Sequence, residues 1–181
     1  LSFKKMELVD REILEPYFKK SGFMGSAYCF GLNYIWRKSI NPYYAIAGDF
    51  AIMRFGNDSK YTFTFPAGDG DIKECIDELI KYTQEEGIQL KISAEKSVLG
   101  VFEQYYPDMF EVKENRDYFD YIYDSKKLAT LSGKKYHSKR NHVTRFFNQG
   151  GVYEEITAEN IKECEEMSHE WCKLYGCGKS E

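Results

Sequence analysis

Residues 43–80, YYAIAGDFAIMRFGNDSKYTFTFPAGDGDIKECIDELI, decide the fold. Two β-rich runs, 43–47 and 50–55, flank Gly48-Asp49, a tight-turn pair between apolar segments. Asn57 and Asp58 supply the next turn, and YTFTF at 61–65 alternates aromatic and Thr as a half-buried strand does. Asp71 then opens the clearest helix in the chain. Ile72, Cys75, Ile76, Leu79 and Ile80 recur at helical spacing, Asp71 and Glu74 have the spacing of a capping box, and Gly87 marks the stop. Three meandering strands running into a helix are the centre of a mixed sheet.

Working outward on the N-terminal side, residues 10–19 predict a short helix with Ile13, Leu14, Tyr17 and Phe18 on its apolar side. Pro16 suits its first turn or a kink better than its interior. Residues 29–37 suggest a second short helix, with Tyr34 and Trp36 read as core, and residues 2–8 a weak first strand. On the C-terminal side a strand is predicted at 89–93. A helix at 94–106 carries Leu99, Phe102 and Tyr106 and is stopped by Pro107, and two last strands fall at 109–112 and 118–123. Antiparallel runs mixed with a crossover unit give an α/β fold, a mixed and mostly antiparallel sheet with helices on both faces. This order is similar to that of the GNAT acyltransferases, β-α-α-β-β-β-α-β-α-β-β.

The expected organisation is a GNAT-like domain over 1–123, basic linker helices over 124–150, and the first strand and helix of a second GNAT-like domain over 151–181. Gly150-Gly151 breaks the linker and 152–156 reads as the strand. Thr157 then caps a helix at 158–175 whose Ile161, Cys164, Met167, Trp171 and Tyr175 share one face. One strand and one helix cannot bury their apolar faces unaided, which predicts further chain downstream.

Composition narrows the class. With 43% hydrophobic and 17% aromatic residues the chain can pack a core, which excludes a disordered segment. No apolar run approaches the roughly 20 residues that span a bilayer, and the first residues lack a signal-peptide core, so a cytoplasmic location is expected. The cysteines Cys29, Cys75, Cys164, Cys172 and Cys177 are odd in number, which suggests thiols rather than a disulfide framework. Cys75 and Cys164 fall on helical stripes as small hydrophobes. Net charge is −4, yet residues 125–153 hold no acid and seven cations: Lys126, Lys127, Lys134, Lys135, Lys139, Arg140 and Arg145. The remainder is left with 18 basic against 29 acidic residues, a pattern that suggests one anion-facing surface on an acidic body.

Two segments invite a functional reading. Pro66-Ala67-Gly68-Asp69-Gly70-Asp71 stands where a GNAT enzyme cradles the coenzyme A pyrophosphate on backbone N–H groups. Gly68 and Gly70 fit that signature, but Phe65 occupies the Arg or Gln position and Asp69 and Asp71 would repel a pyrophosphate. A tight turn with an Asp cap is the better reading. The second segment is 133–147, GKKYHSKRNHVTRFF. On a helical wheel Tyr136, Val143 and Phe147 form a stripe, Lys139 and Arg140 border it, and His137, Asn141, Thr144 and Arg145 point away. Bordering cations can pair with phosphate or carboxylate; the alternative is an ordinary connecting helix whose basic stems snorkel to water. His169, Cys172 and Cys177 are too few for a metal site without a fourth ligand. Asp120 reads as a structural carboxylate at a strand end before it reads as a general base.

The stretch DYFDYIYDSKKLATLSGKKYHSKRNHVTRF, 117–146, resembles the C-terminal domain of bacterial phosphatidylglycerol lysyltransferases and its stand-alone relatives. The match lies in the aromatic-rich Asp120 segment, the Leu128, Leu131, Gly133 step and the Lys-Lys-Tyr-His-x-Lys-Arg-Asn-His run. Leu32-Asn33-Tyr34-x-Trp36 and Phe65-Pro66-Ala67-Gly68 also look like that family. The resemblance implies two tandem GNAT-like domains and an acyl or aminoacyl transfer to an amine or hydroxyl, with the reaction centre largely in the second domain. It carries Lys135, His137, Lys139, Arg140 and Asn141 across as substrate-binding positions and leaves the catalytic residues unassigned. The chain itself is expected to hold no cofactor or metal; acyl-coenzyme A or aminoacyl-tRNA would be the donor. tRNA or another phosphate-bearing molecule and an anionic lipid surface are the expected partners. The alternative is a non-catalytic scaffold that recognises RNA or an anionic surface through the basic helix. Oligomeric state is not legible.

Overall fold

The computed structural model describes residues 1–57 and 60–176. The chain forms two compact units, Leu1–Tyr121 and Ile122–Glu181.

The first unit is a mixed α/β layer. In chain order it contains β1 (Lys4–Lys5), α1 (Arg11–Ser21), α2 (Phe30–Ile35), α3 (Arg37–Ile40), β2 (Tyr43–Ala47), β3 (Phe50–Asn57), β4 (Lys60–Thr64), β5 (Ala67–Gly68), α4 (Ile72–Glu85), β6 (Ile92–Ser93) and α5 (Leu99–Tyr105). The sheet runs β1-β2-β3-β4-β6, with β5 pairing β3, and every pair is antiparallel except β4 with β6. The parallel pair is the crossover through α4 that the chain order predicts.

Strand β3 is apolar at consecutive positions because both of its faces are covered. Ala51 and Met53 pack with Leu14, Phe18 and Phe30 on the α1–α2 side. Phe50 and Ile52 pack with Phe63, Cys75 and Leu79 on the α4 side. A third cluster joins Phe65 and Ile76 to Phe102 and Tyr106 of α5 and its C-terminal end. Arg54 ends the α4 face: its guanidinium lies 4.5 Å from the Tyr43 and Tyr61 rings and donates to the Tyr82 hydroxyl at 3.0 Å. Cys75 is 3% exposed, and burial followed by the nearby Glu78 and Glu74 pushes its thiol up to about 12, so it serves packing and not reactivity.

Several local expectations hold for stated reasons. Asp71 caps α4, its carboxylate accepting from the Lys73 and Glu74 N–H groups at 3.0 and 3.1 Å. Gly87, at φ +65°, closes that helix. Others are corrected. Pro16 sits inside α1, but it is exposed, on the side where water can satisfy the carbonyl whose partner is lost. Residues 109–112 and 118–123 form no strand among the described residues; a one-turn 3-10 helix occupies Arg116–Tyr118 instead. Alternating aromatics make a strand only where a neighbouring edge offers backbone partners, and the hydrogen-bonded path ends at β6. Trp36 is not core but 58% exposed, whereas Tyr34 stacks on Phe30 at 6.1 Å. The expected turn residue Asp58 lies outside the described residues.

The second unit contains α6 (Ser125–Thr130), a 3-10 turn at Lys134–Tyr136, α7 (His137–Asn148) and α8 (Ile161–Tyr175). Residues 152–156 form no strand, so the expected first strand of a second domain is not present among the described residues. The cap of α8 also moves: Asn160 stands at the N-cap and its side-chain carbonyl accepts from the Thr157 N–H at 2.7 Å. No helix among the described residues is long and apolar enough to cross a membrane.

One buried carboxylate anchors the N-terminal edge. Asp10, 1% exposed, accepts from Lys4 Nζ at 2.8 Å, the Glu7 N–H at 2.8 Å and the Tyr44 hydroxyl at 3.0 Å. Burial pushes its pKa up, but these hydrogen bonds outweigh burial and hold the carboxyl below its ordinary value. A depressed folded value means that the stabilisation is complete above the unfolded value of about 3.9 and is lost as pH falls through the folded one. Asp10→Asn is therefore expected to cost about 1–3 kcal/mol at neutral pH. The gap to the native protein should close below pH ~4 in urea-unfolding curves measured across pH.

Candidate functional site

The loop that a coenzyme-binding reading would use is occupied by the protein itself. Ala67 and Gly68 pair with Ala51 and Phe50, so they extend the sheet. Gly68 has φ +154°, and a Cβ there would lie 2.0 Å from the Asp49 carbonyl oxygen; glycine is required by that close approach of two backbones. Phe65 is 4% exposed and packs edge-on against Phe23 and Phe102. The N–H groups of Lys73 and Glu74, which would face a phosphate, bond to Asp71, and Asp69 lies 3.6 Å from Lys20.

The basic segment folds as anticipated from its periodicity and differs in detail. Leu131 ends α6 in the left-handed region at φ 50°, and Gly133, at φ +96°, precedes the turn into α7. Tyr136 is buried, while Val143 and Phe147 are 44% and 55% exposed, so only one member of the expected stripe is covered. Lys135 is exposed, with its ammonium 5.0 Å from the Tyr136 ring centroid. Lys139 is exposed. His137 and Asn141 are brought together one helical turn apart, His137 Nδ1 and Asn141 Nδ2 lying 3.4 Å from each other. Arg140 turns back instead: its Nη1 donates to the Leu131 carbonyl at 2.5 Å and to the Gly133 carbonyl at 2.9 Å. Both carbonyls lie in the turn that follows α6, and the Gly133 carbonyl also accepts from the Tyr136 N–H at 3.2 Å. Arg140 thus holds the α6–α7 turn, and the left-handed Leu131-x-Gly133 step is the sequence signal from which that role could have been read.

The electrostatics of α7 are unusual for a helix. Its start carries Lys134, Lys135 and His137 and no acid, although a helix N-terminus is the positive end of the dipole. Cations placed there cost stability unless an anion compensates them.

Asp120 and Glu95 act structurally. Asp120 Oδ2 accepts from the Ser26 N–H at 2.8 Å, and Glu95 Oε1 accepts from the Met24 and Gly25 N–H groups at 3.1 Å. Neither chain order nor periodicity signals this clamp on the 24–26 loop. No group of three or more His, Cys, Asp or Glu able to hold a metal forms among the described residues, and Cys177 of the weighed His169-Cys172-Cys177 set lies outside them.

The comparisons agree with this architecture. The family described as phosphatidylglycerol lysyltransferase, C-terminal, matches residues 18–181, and the chain belongs to that family. It is also similar to a crystal structure of a conserved protein of unknown function from Bacteroides thetaiotaomicron VPI-5482, at 32% identity and a TM-score of 0.86. That match takes in 100% of this chain and 62% of the other, so the chain spans less than two thirds of that protein's length. Among proteins of curated function none matches.

The β3–β5 junction is open to a direct test. Gly68→Ala should lower stability by about 2–4 kcal/mol, because one of the two backbones must move. Thermal unfolding of the variant reads the loss.

Proposed function

We propose that the protein is an acyl- or aminoacyltransferase of GNAT-like tandem architecture, acting in the cytoplasm, in which α7 holds the phosphates of the donor. The observation that carries this reading is the acid-free +7 stretch of residues 125–153, with Lys135, His137, Lys139 and Asn141 exposed along the α6–α7 segment. Its place within the family match supports it. In the proposed reaction an amine or hydroxyl attacks an activated ester or thioester, and the cations orient the donor and offset its charge. The filled loop at Gly68–Asp71 argues against coenzyme A binding in the first unit. Aminoacyl-tRNA is therefore the donor favoured here, with acyl-coenzyme A the other.

The same filled loop favours one second reading, a scaffold that binds RNA through α7 without transferring anything. Filter binding of aminoacyl-tRNA and a radiolabelled transfer assay separate the two. Lys135→Ala and Lys139→Ala should each weaken tRNA binding several-fold and flatten its salt dependence by about one phosphate contact. Arg140→Ala should do so with a loss of helix order visible by circular dichroism, because it also frees the turn. Wild-type binding by all three variants would remove α7 from the site; tight binding with no transfer to any acceptor would favour the scaffold.

A further inference from the structure

We infer that α7 and α8 form a reciprocal interface with a second copy of this chain, α7 of each copy lying against α8 of the other. The inference goes beyond the transfer reaction proposed above and does not depend on it. Each of the two helices presents an apolar stripe that stays open. On α7, Val143 and Phe147, one turn apart, are 44% and 55% exposed. On α8, Met167, Trp171 and Leu174 share one side at i, i+4 and i+7 and are 61%, 53% and 82% exposed, with the Trp171 and Tyr175 rings stacked at 4.7 Å. Apolar stripes of this kind mark a contact surface. The connection between the helices is held by its own bonds. The Gly150 and Gly151 N–H groups donate to the Phe147 and Phe146 carbonyls at 3.0 Å, and the Asn160 amide donates to the Glu155 carbonyl at 2.9 Å. In this conformation the two stripes do not close on each other.

Charge selects the occupant. Helix α7 holds no acid, and Lys139 stands one turn before Val143 on the border of its stripe. Helix α8 holds Glu163, Glu165, Glu166 and Glu170 against Lys162 and Lys173. On a helical wheel Glu163 and Glu170 border the stripe of Met167, Trp171 and Leu174, and both lysines fall on the far side. Among the described residues no ion pair takes up Lys139 or any of the four glutamates. One stripe is thus bordered by a cation and the other by acids, and the charges of both are unpaired. A polyanion could meet α7, but the glutamates of α8 would repel it. A second copy meets both. A two-fold axis that sets α7 against the partner's α8 also sets α8 against the partner's α7, so both stripes close in one isologous contact with complementary charge. An unrelated partner would have to carry both complements at once. His137 and Asn141 point away from the α7 stripe and are left outside the contact.

Trp36 and Trp171 are the two tryptophans of the chain, so the full-length protein carrying Trp36→Phe reports on Trp171 by its fluorescence. Sedimentation velocity should show a monomer–dimer equilibrium. Over the same concentration range Trp171 emission should move to the blue and lose access to acrylamide. Val143→Gln with Phe147→Gln on α7, and separately Met167→Gln with Leu174→Gln on α8, all at exposed positions, should each raise the dimer dissociation constant about tenfold or more and leave the circular dichroism of the monomer unchanged. Lys139→Glu alone, and Glu163→Lys with Glu170→Lys, should weaken the dimer likewise, and the three changes in one chain should restore it. A chain that is monomeric at every concentration overturns the inference. So does Trp171 emission that is already blue and shielded at the lowest concentrations, where one copy covers α8 by itself. A dimer that keeps its strength in both glutamine variants also overturns it, by placing the contact elsewhere. Lys135→Ala, which tests donor binding, should weaken tRNA binding and leave the dimer unchanged, so the two readings fail separately.

Discussion

Strand β3 must satisfy both of its hydrogen-bonding edges inside the protein, because both of its faces are buried. One edge is met by β2 along five residue pairs. The other edge cannot be met by β4 alone, since β4 pairs only with Arg54–Asn57 and turns away at Pro66. Two devices complete it. The Thr64 hydroxyl accepts from the Met53 N–H at 3.0 Å where the ladder lapses, and Ala67–Gly68 returns to pair with Phe50 and Ala51. A buried N–H left open would cost about as much as a lost hydrogen bond with its desolvation, so this arrangement determines the chain path at 64–71.

The functional consequence follows from that path. A loop that is committed to sheet pairing through Gly68 already uses the Lys73 and Glu74 N–H groups at the start of α4 for its own Asp71 cap. The glycines that make the segment look like a coenzyme loop serve close packing of backbone on backbone. Seven cations without an acid are gathered instead at 125–153, around α6 and α7.

Much of the fold was legible because its signals are local. The tight turn at Gly48-Asp49, the Asp71 cap and the apolar spacing of α4 each depend on residues within a turn or two of one another. The Arg140 contact with Leu131 spans only nine residues, yet it was missed, because a wheel places side chains by angle and ignores the backbone carbonyls of the turn that follows the preceding helix. The candidate site was legible as charge and as family likeness. It was not legible as geometry, which in this case separates the outward Lys139 from the inward-turned Arg140.

Sequence by itself determined the strand and helix order from β2 to α4, a mixed sheet with helices on both faces, the family, and the segregation of basic residues. Each of these is a property of composition or spacing along the chain. Tertiary structure decided which apolar stripes were covered and which stayed open, as Trp36 shows against Phe30. It also decided that 109–112, 118–123 and 152–156 are not strands, and that Gly68 builds sheet rather than a phosphate cradle. The physical reason is common to all three. Burial and backbone pairing are relations between segments distant in sequence, and a periodic pattern states what a segment could offer without stating whether anything meets it.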